Sequence, residues 1–249
     1  MGNEKKLSLL GHLAELRSRL LKGVIAVIIT CIIAFVFADR IFQVLVMPLN
    51  GVPLIYIDMT EMIGVYMKVC LAAGIFLAMP YLVYQVLMFL MPALTAREKR
   101  YIFYILPWIA LMFIGGVVFS YFVLVPPATQ FLTSFGSEIA TPQIRIGSYI
   151  TVVTRVMLAT GIVFEMPVIS TFLARLGIIS PGWLAGKRKI AFVGAFVLGA
   201  IITPTFDPLN QTLVAAPLIV LFEVSILLAK LVQKRPSKVA LAVPDTVTY

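Results

Sequence analysis

Apolar residues gather into six runs, separated by short connections that are rich in charge or proline. The runs cover residues 20–38, 62–90, 102–125, 149–172, 190–203 and 209–229. A hydrocarbon layer of about 30 Å needs about 20 helical residues. The pattern therefore predicts an all-α polytopic membrane protein with six transmembrane helices, in one domain over residues 1–236. Residues 237–249 lack any period and are expected to form a disordered tail. The fifth run is short for a span unless the bilayer thins around it or neighbouring helices hold it. The sixth is only just long enough, and 204–208 between them reads as the tight turn of an antiparallel hairpin. Ahead of the first run, Leu9, Leu13, Leu16 and Leu20 recur at helical spacing, with His12, Glu15 and Arg19 on the other side. That stretch predicts an amphipathic helix at the membrane interface leading into the first span. In the plainest reading it is an anchor, with Glu15 and Arg19 as an i,i+4 pair.

Charge fixes an orientation on this pattern. The chain has 20 Lys+Arg and a net charge of +9, yet only 12% of its residues are charged. Soluble domains carry about twice that fraction. Lys68 and Arg155 lie inside apolar runs, and Arg40 and Arg145 fall on one side of the membrane. Every other Lys and Arg falls on the opposite side. The positive-inside rule then places both termini in the cytoplasm. In a soluble chain such a balance would suggest nucleic acid. Here the cations sit at helix ends, so topology accounts for them and no nucleic-acid partner is expected. The two larger external connections, 39–61 and 126–148, carry Pro48, Pro53, Pro126, Pro127 and Pro142. They are expected to fold as caps containing short helices.

Little in the chain suggests catalysis. Cys31 and Cys70 lie within apolar runs and read as small buried side chains. His12 is the only histidine, so no metal site is expected, and no cofactor either. No nucleophile–base pair or glycine-rich phosphate loop appears, and the chain is read as no enzyme. The acids are more telling. Glu15 and Glu98 sit among cytoplasmic cations, where each is either a local neutraliser or a binding group. A ligand bearing arginine would favour binding, because a carboxylate accepts a guanidinium bidentately. Glu165 lies in mid-run, in Phe164-Glu165-Met166-Pro167. An ionisable group at that depth is costly and is a functional candidate. Pro167 frees a carbonyl in the turn before it. Gln85, Lys68 and Arg155 are candidate partners, and a packing role at a proline kink is the alternative. Glu223 is placed to reach the cytoplasmic interface.

Together these motifs resemble the TatC family, the multispanning core subunit of the twin-arginine protein translocase. The resemblance runs from His12 to about Lys234. It rests on His12-Leu13-Ala14-Glu15-Leu16-Arg17, Met47-Pro48-Leu49, Pro80-Tyr81-Leu82-Val83-Tyr84-Gln85, Phe89-Leu90-Met91-Pro92-Ala93-Leu94 with Glu98-Lys99-Arg100, Phe164-Glu165-Met166-Pro167, Gly194 to Gly199, and Leu221-Phe222-Glu223. The resemblance implies a receptor for signal peptides with paired arginines, working with the proton-motive force on folded cargo. It assigns signal-peptide binding to Glu15, Leu16, Arg17, Phe89 and Glu98. It assigns contact with single-span TatA/TatB-type subunits to Glu165, with Gln85 as a second intramembrane polar group, and it places Pro48 in the external cap. Other copies of the chain and the lipid bilayer are further expected partners. The expected location is the cytoplasmic membrane of a prokaryote, with an organellar membrane such as the thylakoid as the alternative. Lys99-Arg100 stands where the family often has two arginines, and an extra residue before Asp207 leaves that acid without a role. Two rival readings remain: a small-molecule transporter with a midplane site of Glu165, Lys68 and Arg155, and a passive membrane scaffold.

Overall fold

A computed structural model describes residues 2–49, 51–90, 96–137, 139, 141–203 and 208–232; the side chains of 2–10, 12, 90, 96–102 and 209 are also outside the description. In chain order the elements are α1 (Gly2–Val36), α2 (Ala38–Val46), a 3-10 turn (Met47–Leu49), β1 (Leu54–Ile55), α3 (Glu61–Leu90) and α4 (Ala96–Phe119). A π-helical turn (Ser120–Leu124) joins α4 to α5 (Val125–Ser134), and β2 (Ile144–Arg145) leads into α6 (Ile146–Phe164). Then follow α7 (Met166–Arg175), α8 (Pro181–Gly186), α9 (Arg188–Ile202) and α10 (Pro208–Val232).

Among the described residues, 5 stretches are long and apolar enough to cross a membrane: Leu13–Val36, Glu61–Phe89, Phe103–Ser134, Ile146–Arg175 and Asn210–Val232. The fifth run folds as α9, whose 15 residues make a rod of about 22 Å. Three boundaries differ from the sequence reading. No break separates the N-terminal amphipathic stretch from the first span; α1 is continuous. The third run does not stop at residue 125. Pro126 and Pro127, read as the start of a connection, lie in the first turn of α5. There no intrahelical N–H is required, so proline is tolerated. The fourth run is divided at Glu165, which ends α6 and precedes α7, with Pro167 in the first turn of the new helix. The proposed turn at 204–208, Asp207 and the proposed tail lie outside the described residues, except Pro208, which opens α10.

In lipid no water drives helices together, so close backbone approach and polar contacts must do so. Helices α1 and α3 run antiparallel and cross at Gly74. Thr30 Oγ1 donates to the Gly74 carbonyl at 2.8 Å. A Cβ at Gly74 would sit 2.9 Å from the Cys31 backbone. Helices α4 and α6 cross at Gly116, where a Cβ would lie 2.9 Å from the Gly161 Cα. The α9–α10 hairpin is tied at both ends. Gln211 Nε2 donates to the Phe196 carbonyl at 2.9 Å, and Arg188 grips Glu223 with two hydrogen bonds of 2.7 and 2.8 Å.

The two proline-rich connections meet at one end of the bundle as a cap. β1 and β2 pair in parallel, Leu54 opposite Ile144 and Ile55 opposite Arg145. Tyr121 and Tyr149 each donate a hydroxyl at 2.7 Å, to the Val44 and Leu45 carbonyls. Both acceptors lie in the last turn of α2, where carbonyls run short of intrahelical donors; that of Val44 also accepts from the Met47 N–H. Leu45, Leu49, Val65, Ile150 and Val153 pack as a buried core beneath. Because β1 and β2 are parallel, α3 and α6 leave the cap side by side in the same direction. Glu61 lies against Gly147 and Lys68 against Thr151.

Candidate functional site

The end of the bundle opposite the cap carries the residues assigned to signal binding. Glu15, Leu16 and Arg17 occupy one turn of α1, and Leu16 and Arg17 are exposed. Glu15 retains 29% of its side-chain exposure and Arg19, one turn on, 19%. Arg19 Nε and Nη2 both donate to Glu15 Oε1, at 3.1 and 2.8 Å. Its remaining nitrogen, Nη1, reaches α3 and donates to Gln85 Oε1 at 3.4 Å. Glu15 Oε2 has no hydrogen bond among the described residues and remains open to a donor. Phe89, half-buried, stands one helical turn beyond Gln85 on α3. The antiparallel crossing of α1 and α3 thus brings Glu15, Gln85 and Phe89 to one place, with Arg19 as the clasp. Glu98 lies in the first turn of α4, but its side chain is outside the described residues.

Sequence reasoning assigned Arg19 only an intrahelical pair. Its second contact lies 66 residues away, and only the packing of α1 on α3 reveals it. Gln85 had been grouped with Glu165 as an intramembrane contact. It is buried, yet its observed partner is Arg19, at the basic end. Pro48 sits in the 3-10 turn of the cap, before buried Leu49.

Glu165 is 1% exposed, and neither carboxylate oxygen has a hydrogen-bond partner among the described residues. The Phe113 backbone on α4 lies nearby but offers no hydrogen bond of adequate geometry. The Ser120 and Thr160 hydroxyls are buried and unpartnered as well. The break between α6 and α7 falls on Glu165 itself. Its N–H donates to the Ile162 carbonyl at 3.1 Å, and its carbonyl accepts from Ile169 at 2.9 Å. None of the three proposed partners meets this carboxylate: Gln85 accepts from Arg19, Lys68 donates to Thr151 Oγ1 at 3.3 Å, and Arg155 forms no ion pair among the described residues. Arg155 and Glu165 are ten residues apart on one helix, about 15 Å along its axis. A midplane site of Glu165, Lys68 and Arg155 is therefore not assembled. No group of His, Cys, Asp and Glu among the described residues has the arrangement of a metal site.

Known proteins resemble this chain over nearly its whole length. The family described as Sec-independent protein translocase protein (TatC) matches residues 11–217. A Sec-independent protein translocase protein TatC from Aquifex aeolicus is 40% identical over 234 residues, covering 92% of this chain and 97% of its own. The protein of the same name from Carboxydothermus hydrogenoformans is 37% identical, covering 93% and 96%. The fold superposes on a crystal structure of the twin-arginine translocase receptor TatC with a TM-score of 0.79, at 41% identity, over 89% of this chain and 99% of that one. The chain is thus a multi-pass membrane protein and belongs to the TatC family of Sec-independent protein translocases.

Proposed function

We propose that this chain is the signal-peptide receptor and assembly core of a twin-arginine translocase in the cytoplasmic membrane of a prokaryote. It has no catalytic role of its own. The single observation that carries the reading is the Glu15–Arg19–Gln85 clasp. It presents a partly exposed carboxylate with one oxygen unoccupied among the described residues, in the turn of α1 that also carries exposed Leu16 and Arg17. An incoming guanidinium finds an acceptor already oriented and loses little by displacing water there. Phe89 supplies apolar contact one turn away, and Glu98 is the second carboxylate of the site. In this reading α9 also crosses the membrane, as the fifth of six spans, both termini are cytoplasmic and the cap faces outward. The uneven distribution of lysine and arginine supports that orientation. Glu165 is the polar contact for single-span TatA/TatB-type subunits. An unsatisfied buried carboxylate at a helix break is a group that a polar side chain from another helix would satisfy. Other copies of the chain complete the assembly, and the proton-motive force drives transport.

The test is a peptide titration on nanodisc-embedded protein, comparing a twin-arginine signal peptide with its Lys-Lys version. Wild type is expected to prefer the arginine pair. Glu15→Ala and Glu98→Ala should each lose about 1.5–3 kcal/mol, roughly one to two decades in Kd. Equal affinity for both peptides, unchanged by either substitution, would remove the assignment of this site.

A further inference from the structure

Two cations sit within spanning stretches with no ion-pair partner among the described residues. Lys68 on α3 and Arg155 on α6 lie inside the apolar stretches Glu61–Phe89 and Ile146–Arg175. Both are exposed, and among the described residues neither forms an ion pair. A charge at that depth is retained against a cost and calls for a counter-charge. The nearest candidates are already engaged. Arg145 holds Asp58 at 2.9 Å and Glu61 at 3.1 Å, and Glu61 also accepts from the Ile57 N–H at 3.0 Å. Lys68 Nζ instead leans on a hydroxyl, that of Thr151, at 3.3 Å. Arg155 is one turn further along the same face of α6. The two cations are therefore stacked along the seam between two parallel helices.

The space around that seam has two unlike halves. A cavity of about 570 Å³ is bordered by Asp58, Glu61, Lys68, Arg145, Ser148 and Thr151, and its two carboxylates are both held by Arg145. A second, of about 440 Å³, is lined mainly by apolar groups, including Ala128, Leu132, Val153 and Val156. Arg145, Ser148 and Val152 border both, so the two lie on either side of one edge of α6. Ser148, Val152 and Arg155 follow one another at i, i+4 and i+7, so the helix face that separates the halves leads down to the second cation. Depth fits as well. The 30 residues of α3 span about 45 Å, some 15 Å more than the hydrocarbon layer. Lys68, seven residues from the start of α3, is about 10 Å along it, just inside the hydrocarbon boundary, and both it and Arg155 can extend outward toward the lipid phosphates.

We propose that these adjacent cavities bind an anionic phospholipid. Its phosphodiester rests between Lys68, at the edge of the first cavity, and Arg155, which reaches toward it from the next turn of α6, and one acyl chain lies in the apolar cavity. A free phosphate would satisfy the cations but leave the apolar half unexplained. The assignment of the outer leaflet rests on the orientation proposed above; the binding chemistry does not, and its test contains no signal peptide.

The experiment counts retained lipids by native mass spectrometry after full-length protein is equilibrated with phosphatidylglycerol and phosphatidylcholine. Wild type should retain phosphatidylglycerol in preference by roughly tenfold, the scale of one charge-assisted contact. The Lys68→Gln/Arg155→Gln double variant should lose that preference while melting normally in phosphatidylcholine, and Arg40→Gln should keep it. An unchanged preference in the double variant overturns the site. Inorganic phosphate that displaces the lipid at millimolar concentration overturns the lipid as its occupant. A second measurement needs no variant: acylation of Lys68 in nanodiscs should slow several-fold with phosphatidylglycerol relative to phosphatidylcholine. Equal rates in the two lipids also overturn the proposal.

Discussion

Glu15 and Glu165 are both carboxylates on helices of one bundle, and their surroundings are opposite. Glu15 keeps 29% of its side-chain exposure and has an arginine on one oxygen. Glu165 is 1% exposed, and its carboxylate has no hydrogen bond among the described residues. A half-exposed pair of this kind contributes at most about 1 kcal/mol, so it is easily opened and remade with another guanidinium. An unsatisfied buried polar group destabilises by about 1–3 kcal/mol. The chain carries that group at a break between two helices, where a small reorientation of α7 would expose it. The difference separates two kinds of recognition. Glu15 is suited to a ligand arriving from water, which must be bound and released. Glu165 is suited to a ligand already in the membrane, since only there is the exchange of an empty site for a filled one favourable.

If that separation holds, substitutions at the two acids should move different measurements. The largest effect is expected for Glu15→Ala in peptide titrations: a loss of about 1.5–3 kcal/mol, with recruitment of single-span subunits to the idle complex unchanged. Next is Glu165→Leu. Replacing an orphaned carboxylate with an apolar side chain should raise the resistance of the isolated chain to thermal unfolding by about 1–3 kcal/mol. Co-purification of single-span subunits should fall in the same variant, and peptide affinity should stay at the wild-type value. A Glu165→Leu chain that is less stable than wild type would mean that the carboxylate is already satisfied within the bundle. A chain that recruits subunits normally would remove Glu165 from the partner interface.

How far each site was legible in the sequence follows from the range of the interactions involved. Glu165 could be singled out because a carboxylate in an apolar run is conspicuous without any knowledge of neighbours. The break at that residue could be anticipated from Pro167, two positions on. The second run was readable almost to its ends, 62–90 against Glu61–Leu90, because apolar character and flanking polarity are local. Pro126 and Pro127 misled for a local reason too. Proline reads as a stop, but in the first turn of α5, reached through the π-helical turn, it breaks no hydrogen bond. The partners of Glu165 and the second role of Arg19 could not be read. Choosing among Gln85, Lys68 and Arg155 depends on where helices cross, and those crossings are set by Gly74 and by Gly116 against Gly161.

The smaller effects test the clasp itself. Arg19 occupies Glu15 Oε1, so an incoming guanidinium meets one free oxygen and must displace Arg19 to use both. Arg19→Ala should then tighten binding of the twin-arginine peptide, by up to about fivefold if the full ~1 kcal/mol of an exposed pair is released. Weaker binding would show that Arg19 holds the carboxylate in position rather than competing for it. Gln85→Leu separates these two cases further. Its contact with Arg19 is long, 3.4 Å, and near the limit at which a hydrogen bond counts. If Arg19 only competes, loosening it from α3 should leave affinity within about twofold of wild type, since Arg19 can still reach Glu15 within its own helix. If Arg19 positions Glu15, the same change should weaken binding in step with Arg19→Ala, because the clasp would then owe its orientation to α3.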